Sequence, residues 1–566
     1  MDFTKPYNRA EWIDFLETRF MPNDFNINVE ENIHVEHKYD YIKEVNYLGE
    51  SERLGVKVYE IKHISAYDPR ISLTRESFKL MSSYGESKAL VLFTTPKDKN
   101  YRFSLITIDL TIEEGKIKEE ISNPKRYSFI LGEDTKIHTP KEYLVEKGRV
   151  INFEDLKNRF SIEVVNKEFY DKIAILFTKL TGGIRTIGNR NEEFKPKLRL
   201  PSGQDHEALQ RFAVRLIGRI VFCWFLKKKK SDKNKIALVQ EDILSVQAIE
   251  KNNNYYHKVL EPLFFEVLNT EIEERKEFIK EDEKWKNVPF LNGGLFDPNL
   301  HQDFYEIDEN LNRSKYENTL KVPDERLKEL FEIFETYNFT IDENTSVDID
   351  LSVDPEMLGR IFENLLAEIN PQTEKTARKA TGSYYTPRPI VEYMVDESLI
   401  QYLITKLSPL ERGGSDLSES GCVTALEQKI RNLLNYTIED SSLNDEETEQ
   451  VIDALDEIKI LDPACGSGAF PMGILQKMLL ILEKVDPDSM NWLIRQLDKI
   501  SNPAVKKAVE EELMNKDWKY IHKMGIIQNA IYGVDIQPIA VELSKLRFSL
   551  QLLLMKKLMK VKIIEG

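Results

Sequence analysis

Residues 459–470 read KILDPACGSGAF, and no other stretch of the chain limits its fold so tightly. A short apolar strand, Ile458–Leu461, ends in Asp462-Pro463. Ala464-Cys465-Gly466-Ser467-Gly468 then turns into a helix that starts near Phe470. Strand, glycine turn and helix in this order place a ligand at the carboxyl edge of a parallel α/β sheet. Gly466 and Gly468 remove side chains so that backbone can approach the ligand, and the helix N–H groups point toward it. The run is not a phosphate loop, because no Gly-Lys-Ser/Thr follows. Nor is it the dinucleotide fingerprint, because Pro471 stands at the third glycine position. An acid at the strand tip suits a cationic ligand with an amino group. S-adenosyl-L-methionine (AdoMet) is positively charged, lacks phosphate and meets that description.

A second segment agrees. Ala530–Val534 reads as the next apolar strand, and YGVDIQP (532–538) puts Asp535 at its end. An acid there accepts hydrogen bonds from both ribose hydroxyls. Dinucleotide folds place it about 20 residues after the glycines. Here 67 positions separate Gly468 from Asp535 (535 − 468), so an insertion, helices within 485–525, is expected. A third segment, TGSYYTPRP (381–389), is a Gly/Pro loop before the helix Ile390–Leu403, with the Thr386 hydroxyl near the helix start.

The rest of the chain frames these segments. At 566 residues it is expected to hold about three to five domains. We read three parts: 1–165 as an α/β domain, 166–375 as a helical connector, and 376–566 as an incomplete Rossmann-like domain. In the first, Val56–Ile64 alternates like a half-buried strand and Ala89–Phe93 (ALVLF) runs unbroken like a buried one. Phe103–Leu110 alternates again, and Leu73–Tyr84 has helical spacing. In the second, Glu207–Leu226, Glu325–Thr336 and Pro355–Glu368 read as helices around a rigid loop, Asn287–Pro298. In the third, Leu410–Ser420 and Glu439–Glu449 read as exposed polar loops, and Ala540–Leu554 as a helix.

Charge and composition exclude several classes. A net charge of −17 argues against a non-specific polyanion binder, although a local basic surface still serves nucleic acid. The one basic cluster, Lys227–Lys230 with Lys233 and Lys235, reads as a solvated helix end. Three cysteines, none in a C-x-x-C pair, exclude a disulfide scaffold and point to a reducing, cytoplasmic compartment. The longest strongly apolar run, Ile220–Leu226, is far short of the roughly 20 residues of a membrane span, so no membrane association is expected.

The order TGSYYTP, LDPACGSGAF, YGVDIQPIAVELSKLRF resembles the N6-adenine DNA methyltransferases of the gamma type, as their motifs X, I and II. The likeness is greatest to large type IIG and BREX-like restriction–modification and phage-exclusion enzymes. It extends to DPEMLGRIFENLL (354–366), VPFLNGGLFDP (288–298), NPKRYSFILGE (123–133) and residues 160–183. The resemblance implies that Tyr385, Thr386 and Pro387 line the AdoMet pocket. It implies that Asp462, Ala464, Gly466 and Gly468 hold the methionine part, and that Asp535 and Ile536 hold ribose and adenine. It also implies double-stranded DNA as substrate and a catalytic Asn/Asp-Pro-Pro-aromatic loop that grips the flipped base. No such loop occurs. Asn502-Pro503-Ala504 lacks the second proline and the aromatic, and lies before Asp535. The chain is therefore expected to be a truncation, a fragment or one half of a split enzyme, inactive in methyl transfer by itself. A second polypeptide is expected to supply the C-terminal half and target recognition. The end of the sheet and the helix Leu550–Leu558 are expected to lie uncovered.

Enzymes of this type often carry a nuclease at the N-terminal end. Glu60 and Lys62 in YEIK are two apart and so share a strand face. A carboxylate and a lysine so placed hold Mg2+ and orient a hydroxide, the E-x-K half of a PD-(D/E)xK nuclease. Glu50, or Glu52, would supply the missing acid, with Glu50 and Glu60 as metal ligands. The alternative function is a DNA-cleaving or DNA-binding defence subunit that uses AdoMet only as a structural or allosteric ligand. A third is a truncation product without function.

Overall fold

The unbroken apolar run around Ala89–Phe93 lies where its character requires, at the middle of a seven-stranded mixed sheet covered on both faces. The structure is a computed structural model. It describes all residues except 36–37, 66–68, 109–123, 204, 230–236, 287, 292–293, 299–301, 309–312, 369–385, 408–419, 440–441, 504–505, 508–509, 511–517 and 554–566. Two compact units emerge. The first holds Met1–Glu168, Glu335–Val353 and Arg431–Ser441, and the second holds Phe169–Phe334, Asp354–Ile430 and Ser442–Gly566.

The first unit runs α1 (Arg9–Phe15), β1 (Asn26–Glu30), β2 (Ile42–Ser51), β3 (Val56–His63), α2 (Ile71–Ser83), β4 (Lys88–Thr94), β5 (Tyr101–Thr107) and β6 (Lys125–Leu131), and adds β7 (Asp348–Asp350) from far downstream. The strands lie in sequence order, β1 to β7. β3–β4 and β6–β7 are parallel, and the other neighbours are antiparallel. Side chains alternate between two cores. Val56, Val58, Leu90 and Leu92 pack with Trp12, Phe15 and Phe20 on one face. Tyr59, Ile61, Val91 and Phe93 pack with Leu73, Leu80 and Met81 of α2 on the other. β3 is thus buried on both faces and not half-buried as its alternation suggests, and even Glu60 is buried.

β7 carries two acids, yet it is buried. Asp348 and Arg126 are both fully buried and meet at 2.8 Å, while Arg70 also binds Asp348. Arg102 holds both oxygens of Asp350 at 3.2 Å. The guanidinium groups compensate for desolvating the carboxylates.

The second unit is built on α3 (His206–Lys228), which is buried on nearly every side. Its Arg219 donates to Asp303 and, at 2.7 Å, to the Leu295 carbonyl, which pins the loop that follows Val288. Lys227 is not solvated. It pairs with Glu241 at 2.8 Å and lies over the Trp224 ring, while Lys230, Lys233 and Lys235 fall outside the described residues. Then come α4 (Asp324–Thr336), α5 (Glu356–Glu368), α6 (Arg388–Leu407), α7 (Asp445–Glu457), β8 (Ile460–Asp462), α8 (Ala469–Val485), α9 (Met490–Asp498), α10 (Trp518–Asn529), β9 (Ile531–Gly533) and α11 (Pro538–Leu553). α5 packs against α3 and α11, and α6 against α7 and α8.

Two expectations change here, those for Glu439–Glu449 and for Leu550, while the insertion is helical as expected. Much of Glu439–Glu449 is not loop, because α7 starts at Asp445. A capping box between Asn444 and Glu447 closes its first turn, and three acids there favour the helix N-terminus. The insertion between the two strands holds α9 and the start of α10. Leu550 is buried rather than uncovered, and residues from 554 lie outside those described. Residues 410–419 of the other proposed loop also lie outside. Among the described residues no helix is long and apolar enough to cross a membrane.

Candidate cofactor site

β8 and β9 pair in parallel, Ile460 with Ile531, Leu461 with Tyr532 and Asp462 with Gly533. The ladder continues past both strands: Val534 N–H donates to the Asp462 carbonyl at 2.9 Å, and Cys465 N–H donates to the Val534 carbonyl at 3.0 Å. Asp462 and Asp535 therefore emerge at the same carboxyl end, on either side of the glycine turn. Asp535 accepts from Gly466 N–H at 2.9 Å and from Gln537 N–H at 2.8 Å. Asp462 Oδ1 accepts from Ala464 N–H at 3.0 Å. Its Oδ2 is buried with no hydrogen-bond partner among the described residues.

The turn needs glycine at two places. Gly468 starts α8 with φ +87°, and a Cβ there would lie 2.5 Å from Ser544 Oγ of α11. Gly466 has φ +52°, and a Cβ would meet Glu363 Oε1 at 3.3 Å. Glu363 comes from α5. It accepts from Ser467 Oγ at 2.9 Å, and Arg547 donates to the Ser467 carbonyl at 2.8 Å. Burial pushes the Glu363 carboxyl above its ordinary range, partly opposed by the Ser467 hydrogen bond. Burial also pushes the Cys465 thiol up to about 11, helped by Asp462 and Asp535, so it is a neutral packing group at physiological pH.

The chemistry of this cradle is acidic. Two of the turn's N–H groups already donate to carboxylates, so the turn is not a free nest for an anion. Next to the acids lie exposed apolar side chains, Leu461, Tyr532, Val534 and above all Ile536, which is 80% exposed. A cationic ligand with a flat apolar ring fits such a surface, and the buried, unpartnered oxygen of Asp462 is a place for its cation.

Of the residues read from the sequence, Asp462, Ala464, Gly466, Gly468 and Asp535 come together, and Ile536 adjoins them. Tyr385 lies outside the described residues. Thr386 is half-buried and Pro387 exposed. The start of α6 is met by the Pro387 carbonyl, which accepts from Ile390 and Val391 N–H at 3.0 and 3.2 Å. α6 lies on α8, with Val391 and Val395 against Gly473 and with Lys477 3.0 Å from both Glu392 and Asp396. Glu363 was missed. Its helix is legible, but nothing in its spacing ties it to a turn roughly a hundred residues away.

In the first unit, Glu60 and Lys62 share a face as expected, but Glu50 does not join them. Glu50 is in register with Lys57, an odd offset from Glu60, and so points to the other face of the sheet. Glu52 is exposed in the turn that follows. The acid that does meet the pair is Glu44, in register with Lys62 and 2.6 Å from its Nζ. Glu60 accepts from Arg9 at 2.6 Å and from Asn46 at 3.2 Å.

Fold and site together define an α/β chain with an acidic glycine-turn cradle at two parallel strand tips. Over 440 residues the chain is 29% identical to a protein of Methanocaldococcus jannaschii named as a type II restriction enzyme and methyltransferase. The match covers 73% of this chain and 31% of that protein, so the chain spans about a third of its relative's length. No family model matches the chain.

Proposed function

We propose that this chain carries the cofactor-binding part of an adenine-specific DNA methyltransferase in a restriction–modification or phage-defence system. AdoMet is the methyl donor and double-stranded DNA the substrate. The observation that carries the reading is the pair of acids, Asp462 and Asp535, flanking the Gly466–Gly468 turn. The name of the archaeal relative, with both restriction and methyl transfer in it, supports the same reading.

In this assignment 376–566 belongs to a Rossmann-like methyltransferase domain and 166–375 to a helical connector. Asp462, Ala464, Gly466 and Gly468 hold the methionine end, Asp535 the ribose hydroxyls and Ile536 the adenine face. Tyr385, Thr386 and Pro387 line the pocket ahead of α6. AdoMet, when bound, supplies an electrophilic methyl group. The residues of this chain orient it and exclude phosphate-bearing ligands by charge. The 566 residues hold no Asn-Pro-Pro-aromatic run. Methyl transfer to DNA by this stretch alone is expected to be negligible, with the base-gripping loop and target recognition coming from a second polypeptide or from further sequence.

Calorimetry tests the assignment. The chain is expected to bind AdoMet and S-adenosylhomocysteine, and Asp535→Ala to weaken both by at least about tenfold, the effect of losing a charged hydrogen-bond acceptor. Absence of heat from correctly folded wild-type protein would end the assignment.

A second reading concerns 1–165 as a nuclease-like domain that uses Mg2+. It is favoured by Glu60 and Lys62 sharing one strand face with Glu44 beside them. In that case the chain is a DNA-cleaving or DNA-binding defence subunit for which AdoMet is a structural or allosteric ligand.

A further inference from the structure

Glu363 stands at the glycine turn without being part of any motif there. Ser467 Oγ fixes its Oε1 at 2.9 Å, and that same oxygen lies 3.3 Å from where a side chain on Gly466 would begin. Its Oε2 is buried and has no hydrogen-bond partner among the described residues. Asp462 repeats the arrangement: one oxygen takes the Ala464 N–H, and the other is buried and unpartnered. A buried carboxylate oxygen without a donor has lost its water and gained nothing in return. Two such oxygens bordering one turn are explained by a ligand that brings several donors on a positive charge. An ammonium group has three donors and no acceptor.

We propose that Glu363 is a binding residue for the α-ammonium group of the cofactor's amino-acid end, and that it helps the site select ligands carrying that group. This inference rests on the AdoMet reading above. Arg547 donates to the Ser467 carbonyl at 2.8 Å, and its charge only partly offsets the burial of the Glu363 carboxylate. Burial raises the free carboxyl, and a bound cation would restore its ionised form.

Three probes separate the possibilities: AdoMet, S-adenosylhomocysteine and 5′-methylthioadenosine. The first two carry the ammonium group, and only the first carries a sulfonium. The third keeps the nucleoside and lacks the amino-acid end. Calorimetry on the full chain is expected to show Glu363→Gln binding AdoMet and S-adenosylhomocysteine at least about tenfold more weakly, the loss of one charge-assisted hydrogen bond. Binding of 5′-methylthioadenosine should stay within about twofold. Equal losses for all three probes, or none, would overturn the proposal while leaving the AdoMet site standing. A loss confined to AdoMet would assign Glu363 to the sulfonium and overturn it as well. If wild-type protein binds none of the probes, the cofactor reading itself fails and takes this inference with it. Should Glu363→Gln not fold, Glu363→Asp keeps the charge, shortens its reach and is read against the same three probes, with an intermediate loss expected for the first two.

Discussion

His522 and Asp396 are buried in the second unit, and burial shifts them in opposite senses. Burial lowers the His522 imidazole to about 4 from an ordinary 6.5, outweighing the opposing negative charges of Asp486, 4.0 Å away, and of Glu483. The histidine therefore contributes stability that is complete above pH 6.5 and is lost as pH falls through 4, a span of roughly 3 kcal/mol. Asp396 is pushed to about 6 by burial, outweighing its bond to Lys477. Its contribution is complete below the ordinary 3.8 and is lost as pH rises through 6. The two oppose one another, so the expected result is a difference. Denaturant titrations of wild type and His522→Gln at pH 7 and pH 4.5 should show the wild type losing more stability on acidification than the variant. Parallel losses would mean that His522 is not buried and neutral. Single residues differ in how well they can be read from sequence. Asp462 and Asp535 are legible because each ends an apolar strand. Glu363 and Glu44 are not, because their partners lie across helix packing and across a hairpin register.

At the scale of elements, periodicity identified most strands and helices in the core but not their neighbours. β2 (IKEVNYLGES) mixes charge into its pattern because one face carries Glu44 and Asn46 toward Lys62 and Glu60. α7 was hidden by its acids, which are capping residues rather than signs of a loop. The β2–β3 hairpin also decides the nuclease reading. If this face cuts DNA, Glu44→Ala, Glu60→Ala and Lys62→Ala should each abolish Mg2+-dependent plasmid cleavage, whereas Glu50→Ala on the opposite face should not. If the wild type does not cut, or all three variants cut as it does, the Arg9–Glu60 and Glu44–Lys62 pairs are structural only. In that event Glu60→Ala should still destabilise the first unit by about 1–3 kcal/mol, since it strips the Arg9 guanidinium of a buried acceptor.

At the scale of the molecule, β7 shows what spacing along the chain hides. Arg126 and Asp348 are 222 residues apart in sequence and in contact in space. Asp348→Ala would leave Arg126 and Arg70 without their shared acid, and the first unit is expected to lose about 3–5 kcal/mol in a denaturant titration. A loss below about 1 kcal/mol would mean that water reaches these guanidinium groups. The sequence by itself determined the α/β class, the two strands beside the glycine turn and the acids at their tips. Local chain chemistry dictates each of these: apolar runs, glycine where φ is positive, and acids where strands stop. Only the tertiary structure decided that a strand of acids completes the first sheet, that Glu44 and not Glu50 faces Lys62, and that Glu363 reaches the turn. Buried charges choose their partners by proximity after folding, and no local pattern records that choice.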